Sequence, residues 1–354
     1  MNKNQFIGID LFSGAGGMSL GAENAGISIR YAVEKDVYAA QTYEINHPHT
    51  NVINSDISDI TSIPDDLGEG VTLLFGGAPC QGFSTSNRRT NNRSNSDNWL
   101  YKEFVRVLQL WAPDWVVFEN VTGIAEMESG SFFKDLLIDF KSVGYTCTHE
   151  ILNASDFGVP QRRSRLFLIG SKHGKKVDIK SYQANKYVTV REALMDLPEL
   201  KNGASVDILP YSQQADNEYA KSMRSDQLYC TGHLVTRNSE KVLRRYDYIK
   251  QGENWESIPL ELMQNYADPS RCHTGIYHRL CDDKPSVVIG NYRKNMLIHP
   301  WSNRGLSVRE AARLQSFPDS YVFTGSLGFQ QQQVGNAVPP LLAKHVFEKI
   351  VEMQ

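Results

Sequence analysis

The first 170 residues alternate short apolar runs with amphipathic patterns, and this alternation constrains the fold more than any other feature. Apolar runs of strand length occupy residues 6–11, 29–33, 71–75, 115–118 and 165–169. Helical patterns lie between them at 18–25, 37–45, 100–111 and 132–143. Such alternation is typical of a mostly parallel sheet with helices on both faces. We therefore predict an α/β fold with a doubly wound, mostly parallel, Rossmann-like sheet.

The alternation stops near residue 174, which divides the chain into parts. Residues 175–305 are richer in Tyr, Asn, Gln and Ser and contain no repeat. Regularity returns at Ser307, which forms a capping box with Glu310 at a helix start. A final helix is predicted over 340–353. We predict three parts: a catalytic and cofactor-binding domain at 1–174, a smaller irregular domain at 175–305, and a segment at 306–354 that returns to the first domain.

Composition narrows the class of protein. Within the 354 residues, no apolar run approaches the roughly 20 residues of a membrane span. Five cysteines without a Cys-x-x-Cys pair argue against a disulfide framework, so we expect a cytoplasmic protein. The net charge is −3, but residues 161–180 carry seven basic side chains and one acidic one. With the basic run 88–93, this distribution fits either a polyanionic partner or solvated basic loops.

The first predicted strand runs into a glycine-rich segment, Asp10 to Gly17. Glycines allow a tight turn and the close approach of a ligand at a helix N-terminus. The spacing is not the dinucleotide fingerprint, since the glycine after Gly17 is Gly21. Glu34 is placed to accept hydrogen bonds from a ribose, and Asp56 from an adenine amino group. A nucleoside pocket without a pyrophosphate cradle favours S-adenosylmethionine over NAD.

Two candidate catalytic groups follow neighbouring strands. Cys80 lies in a glycine-rich turn (76–84) directly after the apolar run 71–75, and Glu119 follows the run 115–118. A free cysteine is more often a small buried hydrophobe, so the presence of Cys80 does not by itself indicate a catalytic site. Neighbouring parallel strands open into one crevice at their carboxyl ends, so we expect both groups to lie there. Burial is expected to raise the pKa of Glu119 and let it hold a proton near neutral pH.

Further polar groups follow in the second half of the chain. Alternation along the strand after Gln161 predicts Arg163 and Arg165 on one face and Arg162 on the other. The two guanidiniums could bind a carboxylate, a phosphate or a carbonyl oxygen, or form a solvated strand end. Asn336 has no evident structural role and is a candidate ligand contact. We predict no metal site, because one Cys/His cluster lacks the spacing of zinc ligands: Cys272, His273, His278 and Cys281.

Taken together and in this order, the segments resemble the cytosine-5 DNA methyltransferase family of bacterial restriction-modification systems. The matching segments are DLFSGAGG at 10–17, Glu34, Asp56, GGAPCQGFS at 76–84, ENV at 119–121, QRRSR at 161–165, REAARLQSFPD at 309–319 and QVGNAVPP at 333–340. The resemblance does not cover residues 175–300, where the family has its target recognition domain. One departure is Lys35, since many relatives have an apolar or aromatic residue after the glutamate.

The resemblance implies methylation of carbon 5 of a cytosine within a specific short duplex DNA sequence, with S-adenosylmethionine as the methyl donor. Cys80 would add to carbon 6 of the ring, and Glu119 would hydrogen-bond the ring edge. Arg163 and Arg165 would favour the Cys80 thiolate. The cytosine would be flipped out of the stack, and the polar segment 81–98 would close over the DNA.

The resemblance also implies two sets of binding residues. The cofactor set is Asp10, Phe12, Gly14, Gly16, Glu34, Asp56, Ile57, Pro79 and Asn336. We expect DNA contacts from Arg88, Arg89, Arg93, Arg271, Arg293 and Lys294. The expected partners are duplex DNA and, without a stable complex, a cognate restriction endonuclease, and the protein is expected to be a monomer.

Two alternatives remain open from the sequence. One is a tRNA cytosine-5 methyltransferase, because a branch of the family resembles the same motifs. The other is a non-catalytic DNA-binding relative. The large polar insert at 175–300 favours a DNA target, and the retained Cys80 and Glu119 favour catalysis, since binding alone requires no nucleophile. The sequence identifies neither the DNA recognition site nor the base that removes the proton from carbon 5.

Overall fold

The computed structural model describes residues 5–79, 100–126, 130–180, 186–266 and 274–354. The chain forms two compact units. The first unit comprises Met1–Phe157, Ser164–Gln183 and Val338–Gln354, and the second comprises Gly158–Arg163 and Ala184–Ala337. Within the described ranges, no helix is long and apolar enough to cross a membrane.

The first unit is built on a seven-stranded sheet. Its strands are β1 (Phe6–Leu11), β2 (Ser28–Glu34), β3 (Asn51–Asn54), β4 (Val71–Gly76), β5 (Trp115–Val121), β6 (Thr146–Asn153) and β7 (Ser164–Ser171). They lie in the order β3-β2-β1-β4-β5-β7-β6. β1 to β5 pair in parallel, whereas β7 pairs antiparallel with both β5 and β6. The predicted α/β fold with a mostly parallel sheet is therefore confirmed.

Helices cover this sheet and make up much of the second unit. Among the described residues they are α1 (Gly17–Asn24), α2 (Val37–Asn46), α3 (Leu100–Trp111), α4 (Gly123–Glu126), α5 (Ser131–Ser142), α6 (Val190–Leu194), α7 (Glu218–Arg224), α8 (Glu240–Tyr246), α9 (Val308–Leu314), α10 (Leu327–Asn336) and α11 (Pro340–Val351). Every residue of β1 is buried, as expected for a strand covered on both faces. On α3, Phe104, Val107 and Leu108 form the buried face that its periodicity predicts.

The carboxyl ends of β1 and β4 lie level with each other, and β5 continues for three residues beyond them. Gly76, the last residue of β4, pairs with Leu11 of β1 and with Phe118 of β5. A Cβ atom at Gly76 would lie 2.0 Å from the carbonyl oxygen of Leu11. Only glycine fits at this close approach. The chain that leaves β4 therefore passes directly against the end of β1.

The C-terminal helix α11 belongs to the first unit, where it packs on α1. A Cβ atom at Gly21 would lie 2.5 Å from Cβ of Ala343, so the two helices touch through their backbones. Pro340 occupies the first turn of α11, where its missing N–H costs nothing. This packing brings the end of the chain back to the sheet.

The second unit contains short helices and a two-stranded sheet of β8 (Leu209–Pro210) and β9 (Tyr229–Cys230). Buried ion pairs organise its interior. The Arg313 guanidinium lies 3.0 Å from an Asp196 oxygen and 2.6 Å from an Asp319 oxygen. At the start of α9, Ser307 and Glu310 form both hydrogen bonds of the predicted capping box.

The two units differ from the predicted domain boundaries in three places. Residues 158–163, which we assigned to the catalytic domain, belong to the second unit, as do residues 306–337, whereas residues 175–183, which we assigned to the second domain, belong to the first unit. The reason lies in polar contacts: Arg313 of α9 bonds to Asp196, and Gln315 bonds to Gln161. These buried groups are satisfied only within the second unit.

Candidate active site

The glycine-rich turn after β1 has the geometry of a ligand-binding loop. Phe12, Gly14 and Gly16 all have positive φ angles, of 56°, 54° and 84°. For Phe12 this conformation costs roughly 1–2 kcal/mol, so it is held by its surroundings. A Cβ atom at Gly14 would meet no heavy atom within 4 Å, which leaves open space beside the turn. The turn thus has open space beside Gly14, three residues before α1 begins.

Glu34, the last residue of β2, faces this turn. Its Oε2 accepts a hydrogen bond of 2.7 Å from the Gly14 amide, and its Oε1 accepts one of 2.7 Å from the Asp36 amide. Burial raises the pKa of Glu34 above its ordinary value, and the two amide donors oppose that shift. Each carboxylate oxygen keeps acceptor capacity for the hydroxyls of a ribose.

Asp56 lies where β3 leads into a 3₁₀ turn, Ile57–Asp59, and caps that turn. Its Oδ1 accepts hydrogen bonds from the Ser58 amide at 3.0 Å and from the Ser58 hydroxyl at 2.8 Å. Its Oδ2 accepts one from Lys35 Nζ at 2.7 Å. The Lys35 ammonium is the main cause that lowers the pKa of Asp56 to about 2. Ile57, also predicted to bind the cofactor, has its side chain buried in the core of the first unit.

Asp10, another residue of the predicted cofactor set, has a different environment. Its carboxyl group is buried and accepts a hydrogen bond of 2.7 Å from Ser19, which in turn accepts one of 2.5 Å from Tyr43. Burial raises the pKa of Asp10 well above its ordinary range. These contacts join β1 to α1 and α2, so the carboxyl group connects the two elements, β1 and α1, that flank the glycine-rich turn.

The donors and acceptors around the turn fit a nucleoside ligand. Glu34 and Asp56 present carboxylate oxygens at the ends of neighbouring strands. The Ser13 hydroxyl, at the centre of the turn, is buried and has no hydrogen-bond partner among the described residues. Buried hydroxyls are normally paired. An unpaired hydroxyl at a glycine-rich turn fits a polar ligand that would supply the partner.

Glu119 lies in β5, against the turn that leads to Cys80. A Cβ atom at Gly77 would lie 2.6 Å from Glu119 Oε2, so the carboxylate rests directly on that backbone. Glu119 Oε1 lies 2.9 Å from Nε of Arg165 in an ion pair whose side chains are 9% and 14% exposed. Burial lowers the pKa of Arg165, and the charge of Glu119 opposes that shift. The structure thus brings two of the predicted catalytic residues together.

Asn120, which the sequence argument left without a role, fixes the same turn. Its Nδ2 donates a hydrogen bond of 3.0 Å to the carbonyl oxygen of Ala78, and its Oδ1 accepts one of 2.9 Å from the Val121 amide. The next residue of the turn, Pro79, has an exposed side chain. Cys80 lies outside the described residues, so the turn is defined up to the residue before the predicted nucleophile.

The other predicted residues outside the described ranges are Arg88, Arg89, Arg93 and Arg271, together with Cys272 and His273 of the Cys/His cluster.

Arg163 and Asn336 contact each other within the second unit. Arg163 precedes β7 instead of lying in it, and its side chain is buried. Its Nη2 donates a hydrogen bond of 3.3 Å to the backbone carbonyl oxygen of Asn336, at the end of α10. The expectation that Arg163 and Arg165 share one face of a strand was therefore wrong. β7 begins only at Ser164.

Two buried glutamines, which we call the glutamine pair, connect the segments around Arg163 and Asn336. Gln161 Nε2 donates hydrogen bonds to Gln315 Oε1 at 2.8 Å and to the Leu314 carbonyl oxygen at 3.2 Å. Gln315 Nε2 donates to the Val334 carbonyl oxygen at 2.8 Å. Sequence reasoning missed this pair, although each glutamine stands in a segment that it singled out.

The predicted DNA contacts Arg293 and Lys294 belong to a loop, residues 287–294. The loop is anchored, because the Arg162 amide donates to the Ser286 carbonyl oxygen, the Ser286 amide donates to the Pro160 carbonyl oxygen, and the Ile289 amide donates to Gln161 Oε1 at 3.0 Å. The side chains that point outward are Val287, Val288, Asn291, Arg293 and Lys294. No acidic residue occurs between positions 285 and 300. The loop 287–294 is thus basic, partly apolar and anchored to its surroundings.

Several known proteins are similar to this chain in sequence or in structure. A type II methyltransferase, M.DdeI of Desulfomicrobium norvegicum, is 35% identical over 97% of this chain and 88% of its own length. M1.HphI of Haemophilus parahaemolyticus is 37% identical over 98% of this chain and 86% of its own. A crystal structure of a prophage-encoded DNA modification methyltransferase from E. coli superposes with a TM-score of 0.79 at 26% identity, covering 98% and 99% of the two chains. S. pombe Dnmt2, at 17% identity and a TM-score of 0.63, shares the fold.

The sheet order, the glycine-rich turn and the acidic strand ends define a methyltransferase with an α/β fold. The sequence model of the C-5 cytosine-specific DNA methylases matches residues 6–352. The chain belongs to that family and is a DNA cytosine-5 methyltransferase.

Proposed function

We propose that the enzyme uses S-adenosylmethionine to methylate one cytosine within a specific short duplex DNA sequence, through a covalent adduct of Cys80 with a flipped-out base. The observation that carries the proposal is the position of Glu119. Its carboxylate rests on Gly77, three residues before Cys80, and is paired with Arg165. A nucleophile and a hydrogen-bonding acid at adjacent strand ends match the needs of chemistry on a pyrimidine ring.

The nucleoside of the cofactor is held by the first unit. Glu34 accepts hydrogen bonds from the ribose hydroxyls, Asp56 accepts one from the purine amino group, and the Ser13 hydroxyl gains the partner that it lacks among the described residues. The glycine-rich turn allows the rest of the molecule to approach the backbone. When bound, S-adenosylmethionine supplies a methyl group on a sulfonium, which carbon 5 of the cytosine accepts.

Carbon 5 of cytosine is a poor nucleophile, and the addition of Cys80 to the ring makes it a stronger one. Its thiolate forms a bond to carbon 6, and the electron pair of the 5,6 double bond becomes available at carbon 5. After methylation, a base removes the proton from carbon 5. The double bond then re-forms, the bond between sulfur and carbon 6 breaks, and the thiolate is restored.

Glu119 and Arg165 support these steps electrostatically. Glu119 hydrogen-bonds the ring edge at nitrogen 3 and the exocyclic amine, where charge changes as the thiolate adds. Arg165 fixes the orientation of the carboxylate and offers further N–H donors to the ring oxygen. Asn120 keeps the Ala78 carbonyl in place, so the turn that carries Cys80 has one orientation relative to Glu119.

DNA is bound by basic segments of the second unit and of the region around 88–93. Arg293 and Lys294 contact phosphates, which position the protein without reading sequence. Asn291 and the valines of the loop 287–294 are suited to base edges, since amides pair with adenine and apolar groups pack on the thymine methyl. Because the relatives M.DdeI and M1.HphI are named type II methyltransferases, we assign the enzyme to DNA protection beside a restriction endonuclease.

The test is transfer of a labelled methyl group from S-adenosylmethionine to mixed-sequence duplex DNA, with tRNA as a parallel substrate. Label in DNA that is lost in Cys80→Ala supports the proposal, and bisulfite sequencing then gives the site. Cys147→Ala is the matched control, because burial raises the pKa of that thiol to about 11 and leaves it unreactive.

Three outcomes would overturn parts of the proposal. Label in tRNA alone would assign the enzyme to RNA. Full activity of Cys80→Ala would exclude the covalent route. Duplex DNA that contains 5-fluorocytosine provides an independent readout, because the fluorine cannot be removed as a proton and the adduct persists. Absence of a denaturation-resistant complex with the wild-type enzyme would also exclude the adduct.

A further inference from the structure

Three buried polar side chains flank the glycine-rich turn of the first unit and bond to one another. Ser19 Oγ donates a hydrogen bond of 2.7 Å to Asp10 Oδ2, and Tyr43 Oη donates one of 2.5 Å to Ser19 Oγ. The exposed fraction is 1% for Asp10 and 0% for Ser19 and Tyr43. A buried polar group that loses its partner is costly, so these groups hold one another in place. We call them the Asp10–Ser19–Tyr43 chain.

The bond between Asp10 and Ser19 closes the glycine-rich turn. Asp10 is the last residue but one of β1, and Ser19 is the third residue of α1. Between them lie Phe12, Gly14 and Gly16, all with positive φ angles. A non-glycine residue such as Phe12 keeps this conformation only where its surroundings determine it. The bond that joins the two ends of the turn supplies such a constraint.

Tyr43 connects this closure to the segment that carries Glu34. It lies in α2, and the amide of the N-cap residue Asp36 donates to Glu34 Oε1 at 2.7 Å. Glu34 Oε2 accepts a hydrogen bond of 2.7 Å from the Gly14 amide. The turn and Glu34 are therefore joined twice: directly at Gly14, and through α1 and α2 at Tyr43. A shift of α2 along α1 would change the distance between the turn and Glu34.

A second contact joins the same two helical segments further from the turn. His47 Nδ1, at the C-cap of α2, lies 2.8 Å from Glu23 Oε2 of α1. Glu23 follows Ser19 by four residues, and His47 follows Tyr43 by four. The two contacts are therefore about one helical turn apart. The second contact supports the packing of the helices without touching the glycine-rich turn, so it provides an internal comparison for the first.

Ser19 and Tyr43 do not reach the space in which a ligand would lie. Both side chains are closed to solvent, whereas the open space beside the turn is at Gly14. Any influence on a ligand must therefore pass through the backbone of the turn. The hydroxyl groups thus differ in role from Glu34, whose carboxylate is proposed to contact the ribose.

We propose that Ser19 and Tyr43 are positioning residues for the cofactor, which hold the glycine-rich turn in its ligand-binding conformation through Asp10. This inference rests on the function proposed above, in which the turn and Glu34 bind S-adenosylmethionine. Without the two hydroxyls, the turn populates other conformations. The apparent affinity then falls with the fraction of the protein in the binding conformation. The rate of methyl transfer from bound cofactor stays the same, because the turn is formed in every complex.

The first test is amide hydrogen exchange of residues 12–16 in the protein without cofactor. Ser19→Ala removes both hydrogen bonds of the chain, and we expect about tenfold faster exchange at the Gly14 and Gly16 amides, since exchange follows the population of the open turn. Tyr43→Phe, which removes only the outer bond, should give a smaller increase. Glu23→Ala is the matched control, because it removes the second contact, and it should leave the exchange of these amides unchanged.

The second test is the dissociation constant of S-adenosylhomocysteine, measured by calorimetry. We expect about tenfold weaker binding for Ser19→Ala and about threefold for Tyr43→Phe, from the usual strength of buried hydrogen bonds. KM for S-adenosylmethionine should rise by the same factors, and kcat on duplex DNA should stay at the wild-type value. Glu23→Ala should equal the wild type in all three quantities.

The outcomes separate the inference from the proposed function. Wild-type exchange in both Ser19→Ala and Tyr43→Phe would overturn the inference. Equal effects in Glu23→Ala would also overturn it, because they would belong to helix packing in general, and so would a lower kcat with an unchanged dissociation constant.

If the wild type failed to bind S-adenosylhomocysteine while exchange changed as expected, the proposed function and the assignment to the cofactor would be overturned, but the control of the turn by the two hydroxyls would stand. Thermal melting verifies that each variant is folded, and Tyr43→Phe carries both tests if Ser19→Ala does not fold.

Discussion

The Nε atom of Arg165 lies 2.9 Å from Oε1 of Glu119, in an ion pair that is almost closed to solvent. The two residues are held in register by the antiparallel pairing of β5 with β7, in which Glu119 lies opposite Phe167 and Val121 opposite Arg165. The guanidinium therefore reaches the carboxylate from a neighbouring strand. This geometry defines the orientation of the acid before any substrate arrives.

Removing the guanidinium should disable the enzyme. In Arg165→Ala, the buried carboxylate loses its counter-charge and its fixed orientation, and we expect the single-turnover rate of methyl transfer to fall about 10²–10³-fold. Arg165→Lys retains a charge without the planar fork, so its rate of methyl transfer should lie between those of the wild type and Arg165→Ala. The matched control is Arg162→Ala, at an exposed position in the same segment. A wild-type rate for Arg165→Ala would show that the ion pair is only structural.

A methyl group at Gly77 should act through Glu119. The new Cβ atom in Gly77→Ala would lie 2.6 Å from Oε2, so the carboxylate must move. We expect a loss of roughly 10²-fold in the rate of methyl transfer, as for a misplaced catalytic group, with cofactor binding unchanged. Gly305→Ala is the control, since its nearest neighbour would be at an ordinary 3.8 Å. Weaker binding of S-adenosylhomocysteine in Gly77→Ala would argue against this reading.

Basic side chains of the loop 287–294 should govern the salt dependence of DNA binding. Each phosphate contact that is lost should lower the slope of log affinity against log salt by about one unit. We therefore expect a decrease of about two units for the double variant Arg293→Ala, Lys294→Ala, with the recognition sequence unchanged. Lys349→Ala, on α11, is the control. A slope that stays at the wild-type value would place the DNA elsewhere.

Burial of His233 should make the protein less stable in mild acid. The imidazole lies 3.1 Å from the Cys230 thiol, and burial, aided by Arg309, lowers the pKa of His233 to about 4. Because the unfolded chain binds this proton near pH 6.5, the contribution is present above that pH and is lost as the pH falls toward 4.

The shift in the pKa of His233 also sets the size of the loss in stability. The free energy of unfolding should fall by up to about 3 kcal/mol between pH 6.5 and 4. Urea titrations of His233→Asn should lack that part of the pH dependence, whereas His49→Asn, at an exposed position, should keep it. Identical pH profiles for His233→Asn and the wild type would refute the assignment.

The sequence predicted those parts of the fold that depend on local pattern. Strands and helices with continuous apolar runs or clear periodicity, such as β1 and α3, have the predicted bounds. β6 was missed, because its side chains are mostly half-exposed and lack an apolar run. The antiparallel direction of β7 depends on the return of the chain through β6, which no local pattern encodes.

In the candidate site, too, the features that depend on local pattern could be predicted and the others could not. Glycine-rich turns and acids at strand ends can be read from the sequence, because short-range geometry places them. The contact of Arg163 with Asn336 joins residues 173 positions apart. The glutamine pair likewise joins residues 154 positions apart. Such pairings depend on the packing of the second unit, so sequence reasoning could name the residues but not their partners.

The boundary between the units has a consequence for protein engineering. The chain passes from the second unit to the first between Arg163 and Ser164, and Gln161 is bonded to Gln315 and Ile289. A chimera that exchanged only residues 184–337 for those of a relative would leave Gln161 and Arg163 among foreign partners. The segment 158–163 must be exchanged together with residues 184–337, so the coding sequence of the second unit is discontinuous in the gene.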